Sequence, residues 1–161
     1  MNGEGIRKTP NGEIYKGYWT NGQLNGYAEI HTDLGVYEGE VMKSVENGKG
    51  KMTWKNQSEY DGDWRDGLPH GKGKFTASNS EVYEGDFREG RKEGRGRKVF
   101  KNYDIYDGEW LDDIMCGQGT MIYGSYDPDE DSLKPKYTGE WKNNMRDGFG
   151  VMVIGFLRWE K

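Results

Sequence analysis

Residues 60–75 read YDGDWRDGLPHGKGKF, and Gly71-Lys72-Gly73-Lys74 within them is the stretch best suited to hold a phosphate. Glycines let backbone N–H groups approach an anion, and lysines add charge. A phosphate-binding P-loop needs Gly, four residues, then Gly-Lys-Ser/Thr, with a helix after it. Here Gly67 and Gly71 enclose only three residues, and Gly73 stands where the hydroxyl residue belongs. The remaining reactive side chains are sparse. His31, His70 and Cys116 are far apart in the chain, and one thiol with two imidazoles has no zinc-site spacing. Asp127, Asp129 and Asp131 have the spacing of calcium-loop ligands, but Ser132 replaces the required glycine and Thr138 the final glutamate. No catalytic residue, metal or cofactor is expected, and the chain reads as a non-enzymatic protein.

One basic segment stands out. Arg88, Arg91, Lys92, Arg95, Arg97 and Lys98 fall within REGRKEGRGRK. Such a cluster suits an anionic lipid headgroup or an acidic partner. Alternatively Arg95 and Arg97 pair with Glu84 and Asp86 while the others are solvated, and this pairing is the preferred expectation. The whole chain, at net charge −5 and pI about 5.2, lacks the general attraction for nucleic acid.

The side chains are positioned by a repeat. YKGYW begins at Tyr15, YEGEV at Tyr37, YDGDW at Tyr60, YEGDF at Tyr83, YDGEW at Tyr106 and YTGEW at Tyr137, at intervals of 22, 23, 23, 23 and 31 residues. Eleven residues after each tyrosine stands a glycine: Gly26, Gly48, Gly71, Gly94, Gly117 and Gly148. Two residues further on stand Gly50, Gly73, Gly96, Gly119 and Gly150, with Ala28 as the exception. Gly3-Glu4-Gly5 reads as the tail of one more, truncated unit over about residues 3–9.

Within each half of a repeat the period is two, the period of a strand. Tyr60, Gly62 and Trp64 share a face; Gly71, Gly73 and Phe75 share another strand's face. The expected hairpin sets Tyr60 against Phe75, Gly62 against Gly73 and Trp64 against Gly71, with the loop Arg65–His70 between. It also sets Asp61 against Lys74, Asp63 against Lys72, Glu38 and Glu40 against Lys51 and Lys49, and Glu84 and Asp86 against Arg97 and Arg95. The glycines then clear space for the Tyr and Trp of each repeat, such as Tyr60 and Trp64, to lie across the sheet. Asn11, Asp33, Asn56, Asn79 and Asn102, four residues before a tyrosine, are expected to take left-handed turn conformations. The fold class is all-β: an elongated, twisted antiparallel meander of about a dozen short strands, in one array over residues 1–161.

These residues resemble the MORN repeat, whose pattern is Tyr-x-Gly-x-Trp followed by a Gly-x-Gly half, from Gly3 to about Ile154. The resemblance implies one curved sheet of β-hairpins with an aromatic groove, and a role in protein–protein assembly or phosphoinositide binding. Cytoskeletal and ciliary scaffolds are among the settings it implies. Departures are Val41 and Phe87 at the Trp position, and Lys98 where Ile30, Met52, Phe75, Met121 and Met152 stand elsewhere.

The expected partner groove is lined by Tyr15, Trp19, Tyr37, Tyr60, Trp64, Tyr83, Phe87, Tyr106, Trp110, Tyr137 and Trp141, and would hold a helix or extended segment of another protein. A second expected contact is the C-terminal edge. Phe149, Val151 and Val153 stand where middle repeats carry Lys or Arg, so this strand is apolar on both faces. Either the apolar tail 155–161, through Phe156, Leu157 and Trp159, folds back as a cap, or a partner, a second copy included, covers the edge. The insertion 125–135 is expected to be a solvated acidic loop. The first residues lack a secretory signal's apolar core, no run of 18 apolar residues occurs, and cysteine is single, so an intracellular protein in cytoplasm, cytoskeleton or cilium is expected.

Overall fold

The computed structural model describes residues 2–124 and 134–154. Among them no helix occurs, and thirteen strands form one antiparallel sheet in chain order. The apolar tail and nearly all of the acidic insertion lie outside the described residues. Two compact bodies are distinguished, Met1–Ser78 with Phe87–Arg91, and Asn79–Asp86 with Lys92–Lys161. The first holds β1 (Gly3–Lys8), β2 (Ile14–Thr20), β3 (Gln23–His31), β4 (Gly35–Met42), β5 (Val45–Trp54), β6 (Glu59–Arg65) and β7 (Leu68–Thr76). β8 (Val82–Arg88) and β9 (Arg91–Val99) carry residues of both bodies. The second body continues with β10 (Ile105–Leu111), β11 (Ile114–Ile122), β12 (Lys136–Lys142) and β13 (Met145–Val153).

The expected register holds for half of each hairpin. Across β6–β7, Tyr60 opposes Phe75, Asp61 opposes Lys74 and Gly62 opposes Gly73. There a β-bulge intervenes, and Trp64 opposes Pro69, not Gly71. The same break follows Gly17, Gly39, Gly108 and Gly139. The bulge puts two extra residues on the second strand of the hairpin, since Gly62 to Trp64 is two steps and Gly73 to Pro69 four, and it shifts everything beyond it. The expected loop Arg65–His70 therefore shrinks to Asp66 and Gly67, both at positive φ (50° and 79°), which suits the right-handed twist of the flanking strands. His70 and its counterparts Asn25, Asn47, Glu93, Cys116 and Asp147 lie in strands, not loops.

The bulge also reassigns the acidic residues. Asp63 does not face the Lys72 side chain; its carboxylate accepts the Lys72 backbone N–H at 3.0 Å. Glu40 does the same for Lys49 (2.7 Å), Asp86 for Arg95 (3.0 Å) and Glu109 for Gln118 (3.2 Å). The glycine just before each donating N–H is left-handed, as at Gly71 (φ +66°), where a Cβ would come within 2.8 Å of the Asp63 carboxylate. The acid therefore locks the bulge from inside its own repeat, while Lys49 pairs with Asp63 across β5–β6 at 2.5 Å.

Repeats are joined by more than strand pairing. In the first body the turn N–H of Ser44 donates to the Leu24 carbonyl (2.9 Å), Gly67 to Glu46 (3.0 Å) and Gly90 to Pro69 (2.9 Å). In the second, Asp113 donates to Lys92 (3.1 Å) and Asn144 to Met115 (3.2 Å). The longer turns correct the expectation about asparagine. Asn56, Asn79 and Asn102 use their side chains to accept the N–H two residues on (3.0, 3.1 and 3.2 Å). The left-handed conformation falls on the following residue, Gln57, Ser80 or Tyr103.

Candidate functional site

The aromatic residues are built into the sheet by hydrogen bonds to backbone carbonyls, two per repeat in the third, fifth and sixth repeats and one in the others. Tyr60 lies across Gly73, where a Cβ would come within 2.4–2.5 Å of the ring and hydroxyl. Its hydroxyl donates to the Asp63 carbonyl at 2.8 Å, on the bulge. Tyr37, Tyr83, Tyr106 and Tyr137 donate likewise to Glu40, Asp86, Glu109 and Glu140, at 2.7–3.2 Å. The glycines of a hairpin thus clear space for its tyrosine, as expected, but not for its tryptophan. Trp64 finds its glycines on the preceding strand. It opposes Gly48, and its indole N–H donates to the Gly50 carbonyl at 2.9 Å. Trp110 and Trp141 bind the carbonyls of Gly96 and Gly119 (2.9 and 3.1 Å), and Trp19 binds that of Gly5 (3.0 Å). Gly5 so takes the place in β1 that Gly50 takes in β5.

The rings form edge-to-face rows. In the first body Tyr37, Trp64, Tyr60 and Phe87 follow one another with centroids 5.2, 5.2 and 4.9 Å apart. In the second, Tyr83, Trp110, Tyr106, Trp141 and Tyr137 follow at 5.2, 5.2, 5.1 and 5.5 Å. Each contact contributes about 0.5–1.5 kcal/mol beyond burial. Burial holds the hydroxyls of Tyr37, Tyr60, Tyr83 and Tyr106 well above the ordinary phenol range, with neighbouring carboxylates adding to the effect at Tyr37, Tyr60 and Tyr83.

This packing changes the meaning of the expected groove. Trp19, Tyr37, Tyr60, Trp64, Tyr83, Phe87, Tyr106, Trp110, Tyr137 and Trp141 are all buried, none more than 7% exposed. Only Tyr15 is half-exposed. The rings are the core, so they do not form an open groove floor. What covers them is a position nine residues after each tyrosine, which the sequence reading did not single out. Leu24, Glu46, Pro69, Met115 and Arg146 oppose Trp19, Val41, Trp64, Trp110 and Trp141 in register. Lys92 holds that position in the fourth repeat, with its ammonium 5.6 and 5.9 Å from the Tyr83 and Trp110 ring centres. These six side chains vary freely in type, so a constant pattern of aromatics and glycines does not reveal them.

The two lysines of the basic segment are engaged. Lys92 bridges Asp113 at 2.8 Å; Lys98 bridges Glu81 at 2.9 Å and sits 4.4 Å over Phe100. Lys98 holds the Glu81 carboxyl below its ordinary range. Arg95 and Arg97 stand opposite Glu109 and Asp107 of β10, so the expected partner Asp86 serves the Arg95 backbone instead. Arg88, Arg91, Arg95 and Arg97 are exposed. His31 contacts Glu29 at 2.7 Å, and His70 contacts Arg65 at 3.3 Å. Among the described residues no group of three His, Cys, Asp or Glu is placed to hold a metal ion. Burial pushes the Cys116 thiol up, with Glu109 adding to it.

Among the described residues no strand pairs with the outer edge of β13. On β13, Phe149 is 88% and Val151 66% exposed, and Val153 is half-buried. Met152 is 44% exposed, while its counterparts Met52 and Met121 are buried. Tyr137, Arg146, Asp147, Gly148, Gly150 and Met152 line a shallow open depression beside it. Phe156, Leu157 and Trp159 of the expected edge contact lie outside the described residues.

The bulged hairpins, buried Tyr–Trp rows and turn-to-repeat bonds define a tandem β-hairpin repeat protein. The MORN repeat family model matches residues 15–31, 37–59, 60–82, 83–105, 106–127 and 137–154, and the chain belongs to the MORN repeat family. MORN repeats generally take part in protein–protein or membrane-lipid interactions, and proteins built of them are typically non-enzymatic. No individual curated protein matches the chain.

Proposed function

We propose that this chain is a non-enzymatic scaffold or adaptor module that assembles with other proteins through the β13 edge and through the side chains covering the aromatic rows. The exposure of Phe149, Val151 and Met152 on an edge strand carries this reading, since exposed apolar edges invite strand pairing. The aromatic rows act behind the contact surface, holding the half-buried Glu46, Pro69 and Lys92 and the exposed Arg146 in place, while Leu24 and Met115 are buried with the rows. An intracellular setting, cytoskeletal or ciliary, extends the family resemblance, and imaging of the tagged chain tests it.

The assembly experiment is cross-linking in cells with the native chain and a Phe149→Lys, Val151→Lys variant. Loss of specific neighbours at unchanged thermal stability is expected. An unchanged neighbour set would reject the edge as an assembly surface. The alternative is an anionic phospholipid contact through Arg88–Lys98. It is less favoured because Lys92 and Lys98 already pair with Asp113 and Glu81. Salt-sensitive binding to phosphoinositide liposomes, lost on reversing Arg91, Arg95 and Arg97, would bring it forward.

A further inference from the structure

The junctions inside the chain show what the β13 edge is shaped to receive. At the described junctions a Gly-x-Gly strand meets the Tyr-x-Gly-x-Trp strand of the next repeat, except between β3 and β4, where Ala28 and Val41 replace a Gly and the Trp. The Trp-position residue opposes the first glycine: Trp19 on Gly3, Val41 on Gly26, Trp64 on Gly48, Trp110 on Gly94 and Trp141 on Gly117. The glycine at the middle of the incoming strand opposes the second: Gly17 on Gly5, Gly62 on Gly50, Gly108 on Gly96 and Gly139 on Gly119. Except at Val41, the indole also binds the carbonyl of that second glycine. β13 repeats the receiving half, with Gly148, Gly150 and Met152 in the places of Gly48, Gly50 and Met52. The depression lined by Tyr137, Gly148, Gly150 and Met152 is the seat that Trp64 fills between Tyr37 and Tyr60. Trp19, Trp64, Trp110 and Trp141, the described indoles of this type, already occupy seats earlier in the chain.

The outer face says which strand fits. At two interior junctions a basic row meets an acidic one: Lys49 and Lys51 meet Asp63 and Asp61, and Arg95 and Arg97 meet Glu109 and Asp107. On β13 the corresponding residues are Phe149 and Val151, which offer no cation. In a second copy the described strands that carry Tyr-x-Gly-x-Trp are already paired on both sides, which leaves β1 and β13 as its edges, and neither carries an aromatic–x–Gly–x–Trp pattern. A second copy is therefore a poor occupant.

We propose that the β13 edge is a receptor for an antiparallel strand of a partner protein with the pattern aromatic–apolar–Gly–apolar–Trp. Its Trp seats on Gly148 and donates to the Gly150 carbonyl, its Gly opposes Gly150, and its apolar residues cover Phe149 and Val151. This rests on the edge-assembly reading and specifies its ligand.

The test titrates the full chain against a fluorescent peptide, Thr-Tyr-Val-Gly-Val-Trp-Thr. Saturable binding is expected, weakened at least about tenfold by Trp→Ala in the peptide and several-fold by 1-methyltryptophan, which lacks the donor. Phe149→Lys with Val151→Lys should also weaken it about tenfold or more, at an unchanged melting temperature. No binding at millimolar peptide, or binding indifferent to the Trp or to the lysines, overturns the proposal. So does a dimer, seen by sedimentation without peptide and dissolved by the lysines, since a second copy would then hold the edge. If cellular neighbours depend on the edge while the peptide fails, the assembly reading stands and this ligand falls. If the peptide binds while the neighbours are unchanged, the reverse holds.

Discussion

Tyr60 and Tyr15 open the same motif in two repeats of one body and end in different surroundings. Tyr60 lies over Gly73, fully covered, with its hydroxyl on the Asp63 carbonyl. Tyr15 is half-exposed, and its hydroxyl reaches the Glu13 carboxylate at 3.1 Å instead. The residue that should clear its seat is Ala28, not glycine, and Ala28 is buried. Leu24, fully buried, packs against Gly17, where a Cβ would meet its methyl at 3.2 Å. At Gly62, the matching point of the third repeat, the nearest side-chain atom is the Tyr60 hydroxyl, at 2.7 Å. One methyl group thus separates a core tyrosine from a surface one, and the neighbouring leucine fills the space.

The largest expected effect comes from making the third repeat like the first. Gly73→Ala drives a methyl into the Tyr60 ring and breaks its bond to the bulge. Overpacking and the lost bond together should cost about 3 kcal/mol, read from urea unfolding. A loss below about 1 kcal/mol would mean that the ring relocates freely and that the seat is not the determinant. The left-handed glycines sharpen the same contrast. Gly71→Ala meets both the backbone penalty and the Asp63 carboxylate, whereas Gly26 has nothing near because Tyr18 replaces the acid. Gly26→Ala should cost about 1 kcal/mol, and Gly71→Ala about 2 kcal/mol. Equal losses would show that the carboxylate yields without cost.

The acid lock has a pH signature. Burial pushes the Asp63 carboxyl up, but its bonds from Lys49 and Lys72 outweigh this and hold it below the ordinary range. A carboxyl lowered on folding contributes stability above its unfolded pKa, and that contribution is lost as pH falls through the folded pKa. Relative to Asp63→Asn, the native chain should therefore hold a steady advantage of about 1 kcal/mol at neutral pH. The advantage should shrink below about pH 4. A difference independent of pH between 7 and 3 would show that the carboxylate's charge is not what matters.

Much of the sheet was legible because charge and glycine recur at fixed offsets. Tyr60 on Phe75, Asp61 on Lys74 and Gly62 on Gly73 follow from a strict period of two. The bulge beyond Gly62 was not legible, because two extra residues on β7 leave the spacing of the motif unchanged while moving Trp64 from Gly71 onto Pro69. That single slip hid the two-residue turn, the bond from Asp63 to the backbone and the true partner glycines of Trp64. The candidate site was less legible. Aromatics attract attention as binding anchors, yet here each tyrosine and tryptophan covers its neighbour. The side chains left on top, such as Glu46 and Pro69, share no chemistry that spacing alone would mark. The exposed edge was visible because Phe149 and Val151 break the alternation kept by Lys49 and Lys51.

The smallest effect, and the most direct test of the opening contrast, is Ala28→Gly. It removes the methyl from the Tyr15 seat, at a cost of about 0.5–1 kcal/mol for the freer backbone. Leu24 should still hold the vacated space, since it is fully buried and its backbone N–H is tied to the Ser44 hydroxyl at 2.9 Å. The single variant should therefore leave Tyr15 on Glu13. In Ala28→Gly with Leu24→Ala, the ring should drop over position 28 and turn edge-on to Trp19, as Tyr60 stands to Trp64. Ring-current shifts of the Tyr15 protons, followed by NMR in both variants, report the move. If the ring stays in place even in the double variant, glycine at this position is not sufficient to seat the tyrosine, and the Glu13 bond or the neighbouring β1 strand decides its place.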